Sequence, residues 1–595
     1  MPKNKSKSKT EWNLGLLYKS PKDPQIEKDI RTIEAAFNNF EKKYKDKDDY
    51  LKNEAALFRA LTDGEKLRDI VGSTRPLHYF HLLKDIDSQN KIAEARLNQL
   101  SEHLTKVSNK VLFFELKLGK IPPNLQKRFL QSRKLEHFRY QLKLIFDQSR
   151  HNLTEPEEKI MNLKSLPAYS MWVNSSEKYL SKQEISFKRK MLPIAEAIGR
   201  VSSLPTPDRR NLMRDVMKKC KEISDFAEAE LNAVITNKKI NDELRHFKNP
   251  YDATLLSYET SEKMVLNLID TVTKNFKISH DFYKLKAKLM RLPYLTYADR
   301  NAKVGKSTKV YKWKETLKTV ENAFEIVSPK YADILKSYVK RGQIDVYPNK
   351  GKTGGAYCSG GLNIDTFVLL NHTDSLGSVM TLGHEMGHAI HTELSKVQSP
   401  LYQGYTIAAA EVASTLFENF VFDQIFETLS PKEKVIALHN RLNDDIQTIF
   451  RQIACFNFEN DLHQKIRKDG AISKEEIAAL MNKHMKSYLG PITRLEEVDG
   501  YFFVYWSHIR RFFYVYTYAF GQIVSKALYK KYREDKNFLN KIEQFLKAGG
   551  SKSPEDIFKD IGIDVTKPDF FQRGLDQIKG DIKELEKLAK EAKLI

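Results

Sequence analysis

Cysteine and long hydrophobic runs are both scarce in this chain of 595 residues. The three cysteines, Cys220, Cys358 and Cys455, lie far apart and are odd in number, which excludes a disulfide framework and indicates a reducing compartment. No run of about 18 apolar residues occurs, so we expect no membrane-spanning helix. The basic residues 1–9 are not followed by an apolar segment, so we expect no secretory signal. The expected location is therefore the cytoplasm, without a membrane partner.

Binding motifs for phosphates and nucleic acids are also missing. No Gly-Lys-Ser/Thr follows the glycine segment Gly354-Gly355 at the spacing of a phosphate-binding loop. Lysine and arginine number 99 against 77 aspartates and glutamates, a net charge of +22. Such a surplus can indicate a polyanion partner, but the lysines are spread along the chain. We expect no specific nucleic-acid partner; a basic nucleic-acid-binding helical protein with an incidental metal ion stays as an alternative.

The pattern of apolar residues predicts a mainly α protein with a small sheet. Residues 24–160 and 208–300 have the periodicity of amphipathic helices. Short runs that favour strands occur only around 343–370. The prolines of Leu204-Pro205-Thr206-Pro207 make the clearest interruption of the first half. The predicted regions are a basic flexible tail at 1–9, a helical N-terminal region at 10–204, and a catalytic region at 205–595.

The segment Thr381–His391 contains the pattern His-Glu-x-x-His. Residues four apart lie on one face of a helix, so His384 and His388 can direct two imidazoles at one metal ion. Glu385 follows the first of them and can reach a water beside the metal, as in zinc hydrolases. Gly387 costs a helix about 1 kcal/mol relative to alanine, so a close neighbour is expected there. The alternative is a surface helix with two solvated histidines. The apolar stripe on the opposite face comprises Val379, Leu382, Met386 and Ile390.

A zinc site of this kind needs a third protein ligand and one open position. The longer pattern with a third histidine at 394 is excluded, because His391 and Leu394 stand where it requires glycine and histidine. The other common solution is a glutamate on a following helix, and Glu411 lies in such a segment. Composition alone leaves Glu393 and Glu418 as alternatives to it. Glu418 is also a candidate to orient a ligating histidine, and His391 is interpreted as a packing residue or one that supports the ligands.

Two further segments suit peptide chemistry. A strand edge of small residues at Gly354, Gly355 and Ala356 would let an extended peptide pair with the backbone; a tight turn is the alternative. The block 501–520 is rich in tyrosine, whose hydroxyls can stabilise an oxyanion. For most of these tyrosines core packing is the alternative.

Together these motifs resemble the oligoendopeptidase F branch of the thimet-oligopeptidase-like (M3) zinc metallopeptidases. The resemblance extends, in family order, from residue 12 to about 520. The segments that carry it are Glu11–Tyr18, Lys352–Cys358, Gly383–His391, Glu411–Thr415, Trp506–His508 and Phe513–Ala519.

The resemblance implies one Zn²⁺ per chain, a gluzincin-type fold and short unfolded peptides as substrates. It implies a two-lobed helical ellipsoid with a small sheet near the zinc helix and the metal deep in a substrate channel. The implied metal ligands are His384, His388 and Glu411, with Glu385 as general base. The implied transition-state donors are His508, Tyr514 and Tyr518. The implied substrate-binding residues are Gly354, Gly355, Ala356 and Tyr516.

One departure from the family pattern follows His508. Arg510-Arg511-Phe512 stand where an aromatic residue and a proline are expected, which leaves Tyr516 as an alternative to Tyr514 or Tyr518. A zinc carboxypeptidase or dipeptidase on the same scaffold is a second alternative, since Arg510 or Arg511 could bind a terminal carboxylate. The expected activity is that of a zinc metalloendopeptidase.

Overall fold

The computed structural model of the chain describes residues 10–72, 74–305 and 309–595. The predicted basic tail at 1–9 lies outside these residues. Helices dominate the described chain, which confirms the prediction of a mainly α fold. None of the described helices combines the length and the apolar character needed to cross a bilayer.

The helices and strands have the following bounds. The helices are α1 (Pro24–Tyr44), α2 (Glu54–Gly72), α3 (Arg75–Ile86), α4 (Lys91–Ser108), α5 (Leu112–Gly119), α6 (Pro123–Gln131), α7 (Arg139–Ser149), α8 (Glu155–Ser165), α9 (Met171–Ser181), α10 (Ile194–Val201), α11 (Thr206–Glu222), α12 (Ser224–Leu244), α13 (Asp252–Ser257), α14 (Glu262–Lys274), α15 (Phe276–Leu289), α16 (Trp313–Val327), α17 (Pro329–Arg341), α18 (Leu376–Ser395), α19 (Ile407–Phe426), α20 (Pro431–Asp445), α21 (Gln452–Asp469), α22 (Lys474–Leu489), α23 (Tyr516–Glu534), α24 (Leu539–Lys547), α25 (Pro554–Asp560) and α26 (Pro568–Glu591). The strands are β1 (Glu184–Phe187), β2 (Lys190–Pro193), β3 (Leu295–Thr296), β4 (Ile344–Asp345), β5 (Tyr357–Gly361), β6 (Ile364–Leu369) and β7 (Thr493–Arg494).

Helix α1 shows how local sequence sets these elements. Its N-cap Asp23 accepts a hydrogen bond from the backbone N–H of Gln25 at 3.0 Å, and Pro24 occupies the first position, where its missing N–H costs nothing. Apolar side chains then recur at intervals of three or four residues, which gives the helix one buried face. That face comprises Ile26, Ile30, Ile33, Phe37, Phe40 and Tyr44.

The chain forms two compact units that are each discontinuous in sequence. Unit 1 contains the described residues up to 155, together with 309–425 and 528–561. Unit 2 contains the described residues of 156–308, 426–527 and 562–595. The predicted boundary between residues 204 and 205 falls inside unit 2, so it does not coincide with a division in space. The sequence regions 10–204 and 205–595 stay a prediction.

Unit 1 contains the three-stranded sheet of order β4-β6-β5. β4 pairs with β6 in parallel and β5 pairs with β6 antiparallel, so β5 is a terminal strand of this sheet. α18 follows β6 and packs against both β5 and β6. The predicted apolar stripe of α18 is fully buried. The prediction of a small sheet beside the His-Glu-x-x-His helix is therefore confirmed.

Unit 2 is a helical unit in which α12, α21 and α22 pack together, with α26 across α14, α15 and α20. A short 3₁₀ turn at Ser507–Arg510 and a loop precede α23. His508 lies in this 3₁₀ turn and Tyr514 in the loop that follows it.

Candidate functional site

Helix α18 carries the His-Glu-x-x-His residues as the sequence predicts. Its N-cap is Ser375, whose hydroxyl accepts from the backbone N–H of Ser378 at 3.3 Å. The rings of His384 and His388 lie on one face with their centroids 5.1 Å apart. Two imidazoles are therefore available to a single ion.

The third donor comes from α19. Ligand atoms of His384, His388 and Glu411 all lie within 4.8 Å of one another, and Nε2 of His384 is 3.9 Å from Oε2 of Glu411. Glu393, an alternative from composition, instead accepts hydrogen bonds from Tyr338 and Lys396, both at 2.8 Å. Two imidazole nitrogens and one carboxylate oxygen are a donor set that zinc takes in hydrolytic sites.

Glu418 lies behind His384, at 3.3 Å from Nδ1 to Oε2. An N–H on Nδ1 donating to this carboxylate leaves Nε2 free to bind an ion. Burial alone would lower the pKa of His384, but the hydrogen bond and charge of Glu418, with the charges of Glu385 and Glu411, raise it to about 9. Burial lowers the pKa of His388 well below its usual value, so this imidazole is neutral. The acidic residues around His384 thus favour a positive charge at this position, and a bound divalent cation would provide that charge in place of a proton.

Glu385 is only 6% exposed, and one of its carboxylate oxygens has no hydrogen-bond partner among the described residues. Burial raises the pKa of this carboxyl to about 7, against the opposing effect of His384. A carboxylate with a pKa near neutrality is suited to accept and return a proton. The structure thus places a buried carboxyl of raised pKa next to the three candidate metal donors.

The close approach predicted at Gly387 is made by α19. A Cβ at this position would lie 2.7 Å from Cα of Ser414 and 3.2 Å from its carbonyl oxygen. At Gly383, one turn earlier, a Cβ would lie 2.9 Å from Cγ2 of Val421. The two glycines let α18 and α19 pack at short range, and this packing brings Glu411 to the histidines.

His391 is a packing residue. It is buried, and its ring stacks on that of Tyr405 with 3.7 Å between centroids and 9° between planes. Burial lowers its pKa to about 3. The hydroxyl of Tyr405 shares a hydrogen bond of 2.7 Å with Thr392. His391 is therefore a neutral part of the core under α18.

A cleft of about 710 Å³ in unit 1 contains the three candidate metal donors. One wall is β5 with its flanking residues from Ala356 to Leu362, and the other includes α18 and Glu411. Gly354 and Gly355 lie just before β5 in an exposed bend, where Gly355 has φ +79° and where no atom would touch an added Cβ. The glycine segment is therefore a turn that leads into an edge strand. Sequence reasoning missed Ser359-Gly360-Gly361, although this second glycine pair is visible in the sequence.

The structure brings His508, Tyr514 and Tyr518 together within unit 2. Nδ1 of His508 is 2.5 Å from the hydroxyl of Tyr514, and the ring centroid of Tyr518 lies 6.0 Å from that of His508. Burial and the charges of Arg451 and Arg511 lower the pKa of His508 to about 4, so its imidazole is neutral near pH 7. The predicted group of one histidine and two tyrosines is thus a contiguous cluster.

Tyr516 lies elsewhere. Its side chain is 0% exposed, and its hydroxyl shares a hydrogen bond of 2.8 Å with Thr260. The ring also contacts Phe456 inside unit 2. This burial does not support the predicted contact of Tyr516 with substrate, because α23 directs residue 516 away from the face that carries Tyr518.

The loop between His508 and Tyr514 is held in an unusual backbone conformation. Phe512 and Phe513 have φ of +47° and +59°, in a region that side chains rarely adopt. Glu459 accepts from the backbone N–H of Phe513 at 2.8 Å, and Thr254 donates to the carbonyl of Phe512 at 2.9 Å. Strain of this kind persists only where surrounding contacts impose it.

Arg510 of the same loop is not a free cation. Its guanidinium donates to both oxygens of Glu230 at 2.6 Å, and the two side chains are 3% and 0% exposed. Tyr169 donates to the carbonyl of Arg510. The expectation that Arg510 could bind a terminal carboxylate is wrong in this structure, because its carboxylate partner is Glu230.

The chain matches models of two known protein families. Residues 206–577 match the model of peptidase family M3, and residues 117–182 match the model described as Oligopeptidase F. The protein is thus a peptidase of the metallopeptidase type. Since the first match spans more than half of the sequence, the chain belongs to peptidase family M3.

Relatives of similar length support this assignment. The chain is 26% identical over 599 residues to an oligoendopeptidase F homolog of Borreliella burgdorferi, covering 98% of this chain and 99% of the relative. It is 25% identical to oligopeptidase PepF of Bacillus subtilis, covering 99% and 88%. The crystal structure of oligoendopeptidase-F from Enterococcus faecium matches with a TM-score of 0.70 at 19% identity, covering 95% and 98%. This last likeness concerns the fold alone.

Proposed function

We propose that the protein is a zinc-dependent oligoendopeptidase of the cytoplasm that hydrolyses internal bonds of short unfolded peptides. The observation that carries the proposal is the convergence of His384, His388 and Glu411 beside the buried carboxylate of Glu385, in a cleft with an edge strand as one wall. The names of the relatives, which are oligoendopeptidases and an oligopeptidase, agree with it.

In this proposal the cleft binds and orients the peptide. Among the described residues β5 pairs with β6 alone, so its other edge can bond the backbone of an extended substrate. His384, His388 and Glu411 would hold the zinc ion, with Glu418 fixing the orientation of His384. When bound, the ion would polarise the scissile carbonyl and lower the pKa of a water.

Glu385 then transfers the proton. Its unpartnered oxygen accepts a proton from the water that attacks the carbonyl carbon, and the same carboxyl returns it to the departing nitrogen. By resemblance, His508, Tyr514 and Tyr518 stabilise the negative charge that develops on the carbonyl oxygen: the two tyrosine hydroxyls donate to it, and the single N–H of the neutral His508 donates to the oxygen of Tyr514. The hydrogen bond between His508 and Tyr514 keeps these two groups in a fixed relation.

The mode of cleavage decides between this proposal and a carboxypeptidase or dipeptidase. A carboxypeptidase needs a cation that binds the terminal carboxylate directly beside the scissile bond, and Arg510 is already bound to Glu230. The structure thus removes one of the two candidate clamps, which favours internal cleavage.

A mass-spectrometric digest of peptides of graded length tests the proposal. The protein is incubated with peptides of about 5 to 30 residues, with a chelator, and with a chelator followed by zinc; Glu385→Gln is the matched control that keeps the metal donors. Internal cuts that need zinc, weaken with peptide length and vanish in Glu385→Gln are expected. Stepwise loss from one end would indicate an exopeptidase, and cuts that persist in Glu385→Gln would contradict its role as base.

A further inference from the structure

Arg68 lines the same cleft as His384, Glu385 and Glu411, but the chemistry above gives it no role. It lies on α2 and is exposed. The other lysine or arginine of the cleft, Lys396, is paired, because its ammonium lies 2.8 Å from each carboxylate oxygen of Glu393. Arg68 has no ion-pair partner among the described residues. The cleft therefore contains one cation that is available to a ligand.

The last turn of α2 fixes Arg68 beside the end of β5. Gly72 is four residues further on and shares its helix face. It contacts the β5–β6 turn so closely that a Cβ there would lie 2.5 Å from Cδ2 of Leu362. The side-chain amide of Asn363 donates to Asp69 at 2.6 Å, which ties the same helical turn to the same β-turn. Arg68 is thus about 6 Å along the helix from the residue that touches the end of β5.

Glu385 lies near the other part of β5. α18 packs on this strand. Burial is the main cause of the raised pKa of Cys358, and the charge of Glu385 is the second cause. From Cys358 to Leu362 an extended strand advances about 13 Å. A peptide that pairs with the edge of β5 and is cut beside Glu385 would therefore pass Arg68 about two to four residues from the scissile bond.

We propose that Arg68 determines specificity by binding a carboxylate of the peptide at that distance from the cleaved bond. A guanidinium binds a carboxylate through two parallel hydrogen bonds, which a neutral amide cannot match. The carboxylate belongs to an aspartate or glutamate side chain or to the free C-terminus. The net charge of +22 attracts the same acidic peptides from solution. This inference rests on the proposed peptidase function.

The test compares acidic and neutral versions of one peptide that the protein cuts internally. Aspartate or asparagine is placed in turn at positions within about four residues of the cleaved bond, on either side. Each peptide is made with a free and with an amidated C-terminus. The kcat/KM is measured for wild type, for Arg68→Ala and for Arg59→Ala. Arg59 is the matched control, since it is exposed on α2 but does not line the cleft.

Wild type should prefer the acidic form by about twofold to fivefold, the range of an exposed ion pair. The preference in kcat/KM should disappear in Arg68→Ala and persist in Arg59→Ala. In Glu385→Gln, which should not cleave the peptide, the acidic form should bind with a lower Kd than the neutral form. Preference at an aspartate position identifies a side-chain carboxylate; preference only for the free terminus identifies the terminal one. Equal rates in wild type, or an unchanged preference in Arg68→Ala, would overturn the assignment. Failure of wild type to cut any peptide would overturn the proposed function and this inference with it.

Discussion

The ion pair between Arg510 and Glu230 offers a quantitative test of how the His508 loop is held. Both side chains are buried, and two charge-assisted hydrogen bonds of 2.6 Å join them. Glu230→Gln leaves the guanidinium charged and buried without a carboxylate, which costs about 3–5 kcal/mol. That is a large part of the about 5–15 kcal/mol by which typical domains are stable. Replacing both residues by apolar ones, in Glu230→Leu with Arg510→Met, should recover most of this loss.

The measurement is urea unfolding followed by tryptophan fluorescence. One of the four tryptophans is Trp506, which is buried and whose carbonyl accepts from Arg510 at 3.2 Å. The kcat for one peptide is measured in parallel, because a shift of the loop by about 1 Å can cost 10²-fold in rate. The double variant should regain stability but not kcat. Arg511→Met is the control: this neighbour is exposed, so a change within about 0.5 kcal/mol is expected. If Glu230→Gln unfolds at the same urea concentration as wild type, the argument for a clamped loop is refuted.

Three further predictions concern the metal donors, the tyrosines and one buried carboxyl. Glu418→Gln should lower zinc affinity about 10- to 100-fold, and Glu411→Ala should remove most of the zinc; elemental analysis after dialysis checks both, and unchanged zinc content would contradict these roles. Tyr514→Phe and Tyr518→Phe should lower kcat more than they raise KM, because an oxyanion donor acts mainly in the transition state; steady-state kinetics with the reverse pattern would make them binding residues. Burial raises the pKa of Glu459 from its usual 4.5 to about 8, so between these values the native state holds a proton that the unfolded state has released. Stability should therefore fall as pH rises, by about 1.4 kcal/mol per pH unit from this group. Glu459→Gln should flatten that slope in urea unfolding at pH 6 and pH 8, and an equal slope in wild type and variant would count against it.

The shared face of His384 and His388 can be predicted from the sequence, because short-range helical periodicity determines it. The spacing of His384 and His388 needs only a helix, and the cost of Gly387 within that helix correctly indicated a close neighbour. Glu411 needed more, since composition could not separate it from Glu393. The family resemblance selected Glu411, and the packing of α19 on α18 gives the physical reason.

Contacts between residues far apart in the sequence could not be predicted from local patterns. The partner of Arg510 lies 280 positions earlier, so the sequence displayed a charge without its counter-charge. The glycine segment shows a related limit. Which glycine pair faces the cleft depends on the register of β5 with β6, which an irregularity between Ser359 and Gly361 sets. The burial of Tyr516 could not be predicted either, because the faces of the tyrosines depend on where α23 begins, and the pattern alone does not determine that residue.

The division of the chain into interleaved units has a consequence for its biosynthesis. All three metal donors have been translated once Glu411 is added, but unit 1 still lacks 528–561, and residues 426–527 of unit 2 are made in between. The later segment contains Phe545, whose ring lies 5.3 Å from that of His391 under α18. A ribosome-bound chain therefore presents the donors before the helix that packs beneath them exists. Completion of unit 1, and with it a firmly held site, waits until residues 528–561 have been made.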